Sequence, residues 1–302
     1  MSRRPAVTPR RLGAAGVEVL QSLHQHRLLT TRQVHRLHSP RASRRWAQEL
    51  LHRLWAAGLA AMARDERGGG GAWYLTAAGL DAAETITSRA EERRKLVTPA
   101  QAAGPLQQHT LEVNEVGIAF VEAARERDEE FGPFDWRHEI SHRMSPPGTR
   151  RRAESLIADA VLVYQRGMGA SGVTFHYRFL ELDRATMSAA HLASRLGRYG
   201  RLHRVPAGAG DSLEGSALAW ERLYPVFPAV LLVLSGGSAE ALERRRETVL
   251  ALLAEESDLQ GSPEVEVAAC LLPELVDRGP FSPIFRRDRE PGADVDWLGE
   301  GA

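Results

Sequence analysis

Three carboxylates stand where chemistry on a phosphate could be done. Asp159 interrupts the apolar run Ile157-Ala158-Asp159-Ala160-Val161-Leu162-Val163, and Glu181 and Asp183 end a second run, Phe175 to Asp183. Mg²⁺ and Mn²⁺ take oxygen ligands, often one or two carboxylates completed by water and phosphate, so two acids on neighbouring strands suffice. Glu181 and Asp183 are two residues apart and share a face of an ideal strand, which makes Asp183 a candidate third ligand. Arg184 or Arg195 could stabilise a phosphate, but neither is a base, because guanidinium keeps its proton. His109, on the inner stripe of a preceding helix, is a candidate for the same pocket. The expected catalytic set is therefore Asp159, Glu181, Asp183, Arg184 and His109, with the three acids as metal ligands. Acids beside apolar strands also serve simply to end strands, and a lone helical histidine is more often packed core than catalyst.

The elements that must position these groups follow one another in a definite order. A helix from Leu106 to Arg127 carries His109, Val113, Val116, Phe120 and Ala124 on one stripe. Three strands follow, Phe134 to His142, Leu156 to Tyr164 and Phe175 to Asp183, the last two joined by the glycine-rich stretch Gly167 to Gly172. Next come a helix from Ser188 to His203, the wholly apolar strand Ala229 to Ser235, an amphipathic helix from Ala239 to Glu255 and a last strand, Glu264 to Cys270. Helix, three strands, helix, strand is the order of the restriction-endonuclease-like core. In that fold acids on the second and third strands hold a divalent metal, and a lysine two residues after the second acid polarises the attacking water. Asp183 occupies the lysine position here, and Lys95, the sole lysine, lies outside the core. Residues 106–275 thus read as a nuclease-like α/β domain that lacks its lysine. The stretches Met144 to Ala153 and Pro206 to Ser216 read as mobile, and the Pro- and charge-rich residues 276–302 as a flexible tail.

The other end of the chain suggests a second kind of chemistry. The formal net charge is zero, yet residues before position 101 carry 17 arginines and lysines against 8 acids. Such asymmetry points to a nucleic-acid contact on the basic side. A first helix spans Arg10 to Gln25, and Thr30 or Thr31 caps a short second helix ending near His38. A third, from about Arg41 to Ala57, turns Trp46, Ala47, Leu50, Leu51 and Leu54 one way and Arg41, Arg44, Arg45, Gln48 and His52 the other. That is the build of a major-groove reader, with arginine suited to guanine and glutamine to adenine. Gly58 closes the helix. Two short strands, 59–64 and 72–76, flank a tip with Arg67 and Gly68 to Gly71, and Thr76 opens another helix. Residues 1–92 therefore read as a winged helix-turn-helix, followed by a linker at 93–105. The run resembles MarR-like and related winged-helix DNA-binding domains, including the step Tyr74-Leu75-Thr76-Ala77-Ala78-Gly79 after the wing. The DNA-contacting set is Thr31, Arg32, Arg41, Ser43, Arg44, Arg45, Gln48, His52 and Arg67.

Composition narrows the classes further. The 302 residues are 43% hydrophobic and 26% charged, as in soluble proteins with real cores. No run approaches the ~20 apolar residues of a membrane span. Cys270 is the single cysteine, which excludes an intramolecular disulfide or a cysteine-based zinc site and fits a cytoplasmic protein. No glycine-rich phosphate loop or nucleophile motif argues for a small-molecule enzyme.

Assembled, the chain resembles the actinobacterial replication-relaxation family, proteins associated with plasmids and mobile elements. The resemblance is carried by Leu29-Thr30-Thr31-Arg32-Gln33-Val34, Gly58-Leu59, His109, the run Ile157 to Val163, Glu181-Leu182-Asp183-Arg184-Ala185-Thr186 and Leu192 to Tyr199. It covers most of residues 10–255. The family commonly has glycine where this chain has Ala185, and a lysine in the following helix where Arg195 sits. The resemblance implies a DNA-binding protein acting in replication, relaxation or mobilisation of plasmid or mobile-element DNA. A metal-dependent nicking endonuclease using Mg²⁺ or Mn²⁺ and a non-enzymatic winged-helix transcriptional regulator are the alternatives. Double-stranded DNA is the expected partner, with a second copy of the chain or a replication or mobilisation protein as further candidates and no membrane.

Overall fold

A computed structural model of the chain describes residues 12–64, 71–86, 96–145, 154–167, 172–207, 218–290 and 292–300. Arg67 and most of the two stretches expected to be mobile lie outside the described residues. The fold is mixed α/β, with a three-stranded and a seven-stranded sheet. The chain divides into two compact units, Met1–Val121 with Gly132–Phe134, and Glu122–Phe131 with Asp135–Ala302.

In the first unit α1 (Gly13–His26) leads through β1 (Leu29–Thr30) to α2 (Thr31–His38). Thr30 starts α2 because its hydroxyl accepts the Gln33 N–H at 3.1 Å while the Gln33 side chain accepts the Thr30 N–H at 2.9 Å. Next come α3 (Arg44–Ala56), the hairpin β2 (Ala60–Arg64) and β3 (Gly71–Leu75), and α4 (Ala77–Ile86). β3 lies between β1 and β2, pairing antiparallel with both. Thr76 caps α4 by accepting the Gly79 N–H at 3.1 Å. A Cβ on Gly79 would sit 1.9 Å from the Leu59 carbonyl oxygen, so only glycine lets α4 begin this close to the chain entering β2. This order and pairing are compatible with a winged helix-turn-helix.

The first unit extends beyond the expected linker. After α5 (Pro99–Ala103), the helix α6 (Pro105–Arg127) belongs to this unit as far as Val121. Polar side chains tie it there. Asn114, fully buried, donates to the Leu28 carbonyl at 2.7 Å, and Gln33 donates to the Leu111 carbonyl at 2.8 Å. His26 donates to the Pro133 carbonyl at 2.6 Å, which explains why residues 132–134 fall in the same unit. A boundary expected at 93–105 from Pro and Gly is thus displaced by buried hydrogen bonds that no local composition signals.

The second unit is built on the strands β4 (Trp136–Arg143), β5 (Ser155–Arg166), β6 (Thr174–Asp183), β7 (Ala229–Leu234), β8 (Val267–Leu271), β9 (Phe285–Arg287) and β10 (Asp294–Val295). They lie side by side in that order. β4, β5 and β6 form an antiparallel meander, and β6, β7 and β8 run parallel. The parallel steps need crossovers, supplied by α7 (Ala189–His203) and α8 (Ala239–Ala254) with the short α9 (Ser257–Gln260). Phe179, Leu196, Tyr199, Leu232 and Val249 are buried together in its core.

Two expectations fail here. Residues 264–270 do not hold the last strand, and the described residues among 276–302 are not a loose tail. After α10 (Leu272–Arg278), β9 and β10 extend the sheet antiparallel. Phe285 is fully buried, and Trp297 packs against Tyr164 and Phe281 at ring separations of 5.0 and 5.8 Å. The charges that suggested a solvated segment pair instead: Arg286 meets Asp294 at 3.0 Å and Glu243 at 2.8 Å. Buried Arg246 meets Glu243 at 2.7 Å and donates to the Ile284 carbonyl at 3.0 Å.

Candidate functional site

The acids of the second unit sit where the sheet's hydrogen bonding is interrupted. The β4–β5 register passes from His138↔Ala160 to Ile140↔Ala158, omitting Glu139 and Asp159. Glu139 has φ +54°, a left-handed conformation that breaks the ladder there. The β5–β6 register ends at Ala160↔Leu180. Asp159 therefore leaves the ladder on both sides, and its carboxylate takes the place of a strand carbonyl by accepting the Leu182 N–H at 2.8 Å. Glu181 lies on the sheet face that α7 covers and is almost wholly buried. Tyr199 O–H donates to its Oε1 at 2.6 Å, and Arg195 Nη2 lies 2.6 Å from its Oε2. The same Arg195 nitrogen lies 3.4 Å from Asp159 Oδ1. Arg195 and Tyr199 are four residues apart on α7, one turn, so a single helical face delivers both.

Burial and the Asp159 charge push the Glu181 carboxyl up, and Arg195 and Tyr199 oppose this by favouring the carboxylate. Burial and Glu181 push the Tyr199 phenol well above its ordinary value. Burial acts to lower the Arg195 value, but the Glu181 and Asp159 charges outweigh it and the guanidinium is held above its usual range.

Asp159 and Glu181, expected together from sequence, are brought together. Asp183, one strand step further, is directed differently: it is fully buried and its Oδ2 accepts from Arg245 Nε of α8. Its Oδ1 is buried with no hydrogen-bond partner among the described residues. Arg245 is held in turn by the Met187 carbonyl at 2.8 Å. Arg184 is half-buried just beyond the end of β6. His109 lies on the part of α6 that belongs to the first unit. No group of three or more His, Cys, Asp or Glu among the described residues is arranged to hold a metal ion. The donor set present does not fit a divalent ion as it stands, because Asp159 and Glu181 face a guanidinium and Asp183 faces another. Tyr199 and Arg245 were missed as site residues. A strand acid followed by a helix with Arg and Tyr four apart is a readable signal for Tyr199. Arg245, sixty-two positions from Asp183, gives none.

In the first unit α3 presents two contrasting faces. Ala47, Leu50, Leu51 and Leu54 are buried, while Arg44, Arg45, Gln48 and His52 are exposed. Ser43, exposed, is the N-cap position, and Arg41, also exposed, precedes it. Arg45 meets Glu49 at 2.8 Å, both well exposed. The His52 ring stands edge-on to Trp55 and Trp73 at about 6 Å. Trp55 continues the exposed stripe at 58% exposure and went unnoticed in the sequence. The remaining residues of this set have other partners. Thr31 Oγ1 accepts from the Trp73 indole N–H at 3.1 Å, and Arg32 meets Glu115 of α6 at 3.3 Å beside Arg36.

No helix among the described residues is long and apolar enough to cross a membrane. Neither curated proteins nor solved structures give a match to the chain. A protein-family model, replication-relaxation, matches residues 20–210. That match runs from within α1 to beyond α7, including the exposed face of α3 and the Asp159–Glu181–Arg195 cluster, and the chain belongs to the replication-relaxation family.

Proposed function

We propose that this protein binds double-stranded DNA in the replication or relaxation of plasmid or mobile-element DNA, with α3 as the element entering the major groove. The observation that carries this reading is the division of α3 into a buried apolar face and an exposed face of Arg44, Arg45, Gln48 and His52. α2 and α3 form the helix-turn-helix, and the β2–β3 hairpin is the wing. Arg44 and Arg45 act on phosphates or guanine edges, and Gln48 on adenine; a good bidentate base contact discriminates by about 1–3 kcal/mol. Arg32 and Arg36, held by Glu115, contribute less to the footprint than α3. The family name supports the biological setting.

The test is a gel shift with plasmid fragments at two salt concentrations. Loss of affinity and a flatter salt dependence in Arg44→Ala/Arg45→Ala supports α3 as the reader. Unchanged affinity at both concentrations refutes it. The nuclease alternative takes its support from Asp159 and Glu181 on adjacent strands. It would require them to turn from Arg195 and Tyr199 to an ion, and a supercoiled-plasmid assay with Mg²⁺ or Mn²⁺ addresses it. Open circles formed by wild type and not by Glu181→Ala would establish nicking.

A further inference from the structure

We propose that the Arg195 guanidinium is the resident cation of the Asp159–Glu181 pair, so that this acid site takes no divalent metal unless Arg195 is removed. Of the four carboxylate oxygens, Glu181 Oε1 accepts from Tyr199 and Oε2 faces Arg195 at 2.6 Å. Asp159 Oδ1 faces the same Arg195 nitrogen at 3.4 Å, and Oδ2 accepts the Leu182 N–H. Each of the four oxygens that would face an ion thus faces a proton donor. Mg²⁺ or Mn²⁺ held by both acids would compete with the guanidinium for the space between them and place two further positive charges against it.

The third acid does not rescue the site, because Asp183 is paired with Arg245 on α8. The guanidinium suits the role it has. It is planar, offers several donors and stays charged when partly buried, so one side chain bridges two carboxylates from two strands. Arg195 sits on α7, and the bridge also fastens that helix to β5 and β6 where their ladder has opened. The neighbouring arginines of α7 are engaged elsewhere: Arg198 and Arg201 with Glu154, and Arg201 with Asp258.

The inference stands apart from DNA binding, and its readouts use no DNA. The experiment is a Mn²⁺ titration of the full chain, followed by electron paramagnetic resonance for bound Mn²⁺ and by thermal unfolding against a chelator. Wild type is expected to take up no stoichiometric Mn²⁺ and to show the same Tm with Mn²⁺ and with chelator. Arg195→Ala is expected to unfold several degrees lower in chelator, to bind one Mn²⁺, and to recover part of the lost Tm on binding it. Stoichiometric Mn²⁺ on wild type that disappears in Asp159→Asn overturns the proposal. So does an Arg195→Ala chain that folds and takes no Mn²⁺. Should Arg195→Ala fail to fold, the wild-type titration decides alone, since it needs no variant.

Discussion

Helix α3 of the first unit and the acid cluster of the second use arginine in opposite ways. On α3 of the first unit Arg44 and Arg45 stand in solvent above an apolar face, and their charge is offered outward. In the second unit Arg195, Arg245 and Arg246 are turned inward against Asp159, Glu181, Asp183 and Glu243. An exposed ion pair such as Arg45–Glu49 contributes little to stability. Removing one partner of a buried pair is costly, because the other charge is left without compensation. The same residue type is therefore expected to report on binding on α3 and on folding in the acid cluster.

The largest effect that could break this contrast is Arg195→Ala. It is expected to cost about 3–5 kcal/mol of stability in urea denaturation, with Glu181 left buried and unpaired. A cost near zero would show that the pair is not structural. Next is Trp297→Ala, expected to cost roughly 3–5 kcal/mol because a buried indole leaves a cavity among Tyr164 and Phe281. A change within about 0.5 kcal/mol, the range of an ordinary surface position, would return the last residues to the status of a loose tail.

In the first unit the expectation is reversed. Arg44→Ala/Arg45→Ala should leave stability within about 0.5 kcal/mol of wild type. It should weaken DNA binding at least tenfold and reduce the salt slope by about 0.9 for each phosphate no longer neutralised. Smallest is Ala185→Gly. Ala185 follows the acid strand with φ +55°, a left-handed conformation that costs a residue with a Cβ about 1–2 kcal/mol. Glycine there is expected to stabilise the second unit by up to ~1 kcal/mol, partly offset by the greater freedom of the unfolded chain. A loss of stability would mean that the alanine methyl packs usefully.

Much of the fold was legible because local rules agree. Thr30, Thr76 and Ser188 cap the helices they were expected to start, and each does so through its hydroxyl. The strands around Asp159 and Glu181 lie within two residues of their expected limits. The tail and the linker were misread for one reason. Charged and Pro-rich composition reports how a segment would behave alone, whereas Arg286 and Asn114 find partners far along the chain, in Glu243 and Leu28. Within the acid cluster, Asp159 and Glu181 could be named because an acid in an apolar strand demands an explanation. Their occupancy by Arg195 and Tyr199 could not be ranked against a metal ion without distances.

What the sequence by itself determined is the division of the chain: a basic, helix-rich N-terminal part with an Arg/Gln face, and an α/β part with one acid inside a strand and two at the end of the next. Periodicity and capping are local, so they survive without tertiary information. What only the tertiary structure decided is which charges face each other. Arg195 between two carboxylates, Asp183 turned to Arg245, and α6 fastened to the first unit by Asn114 all depend on contacts between residues far apart in the chain. The energy of such contacts depends steeply on distance and burial, and neither is written in residue order.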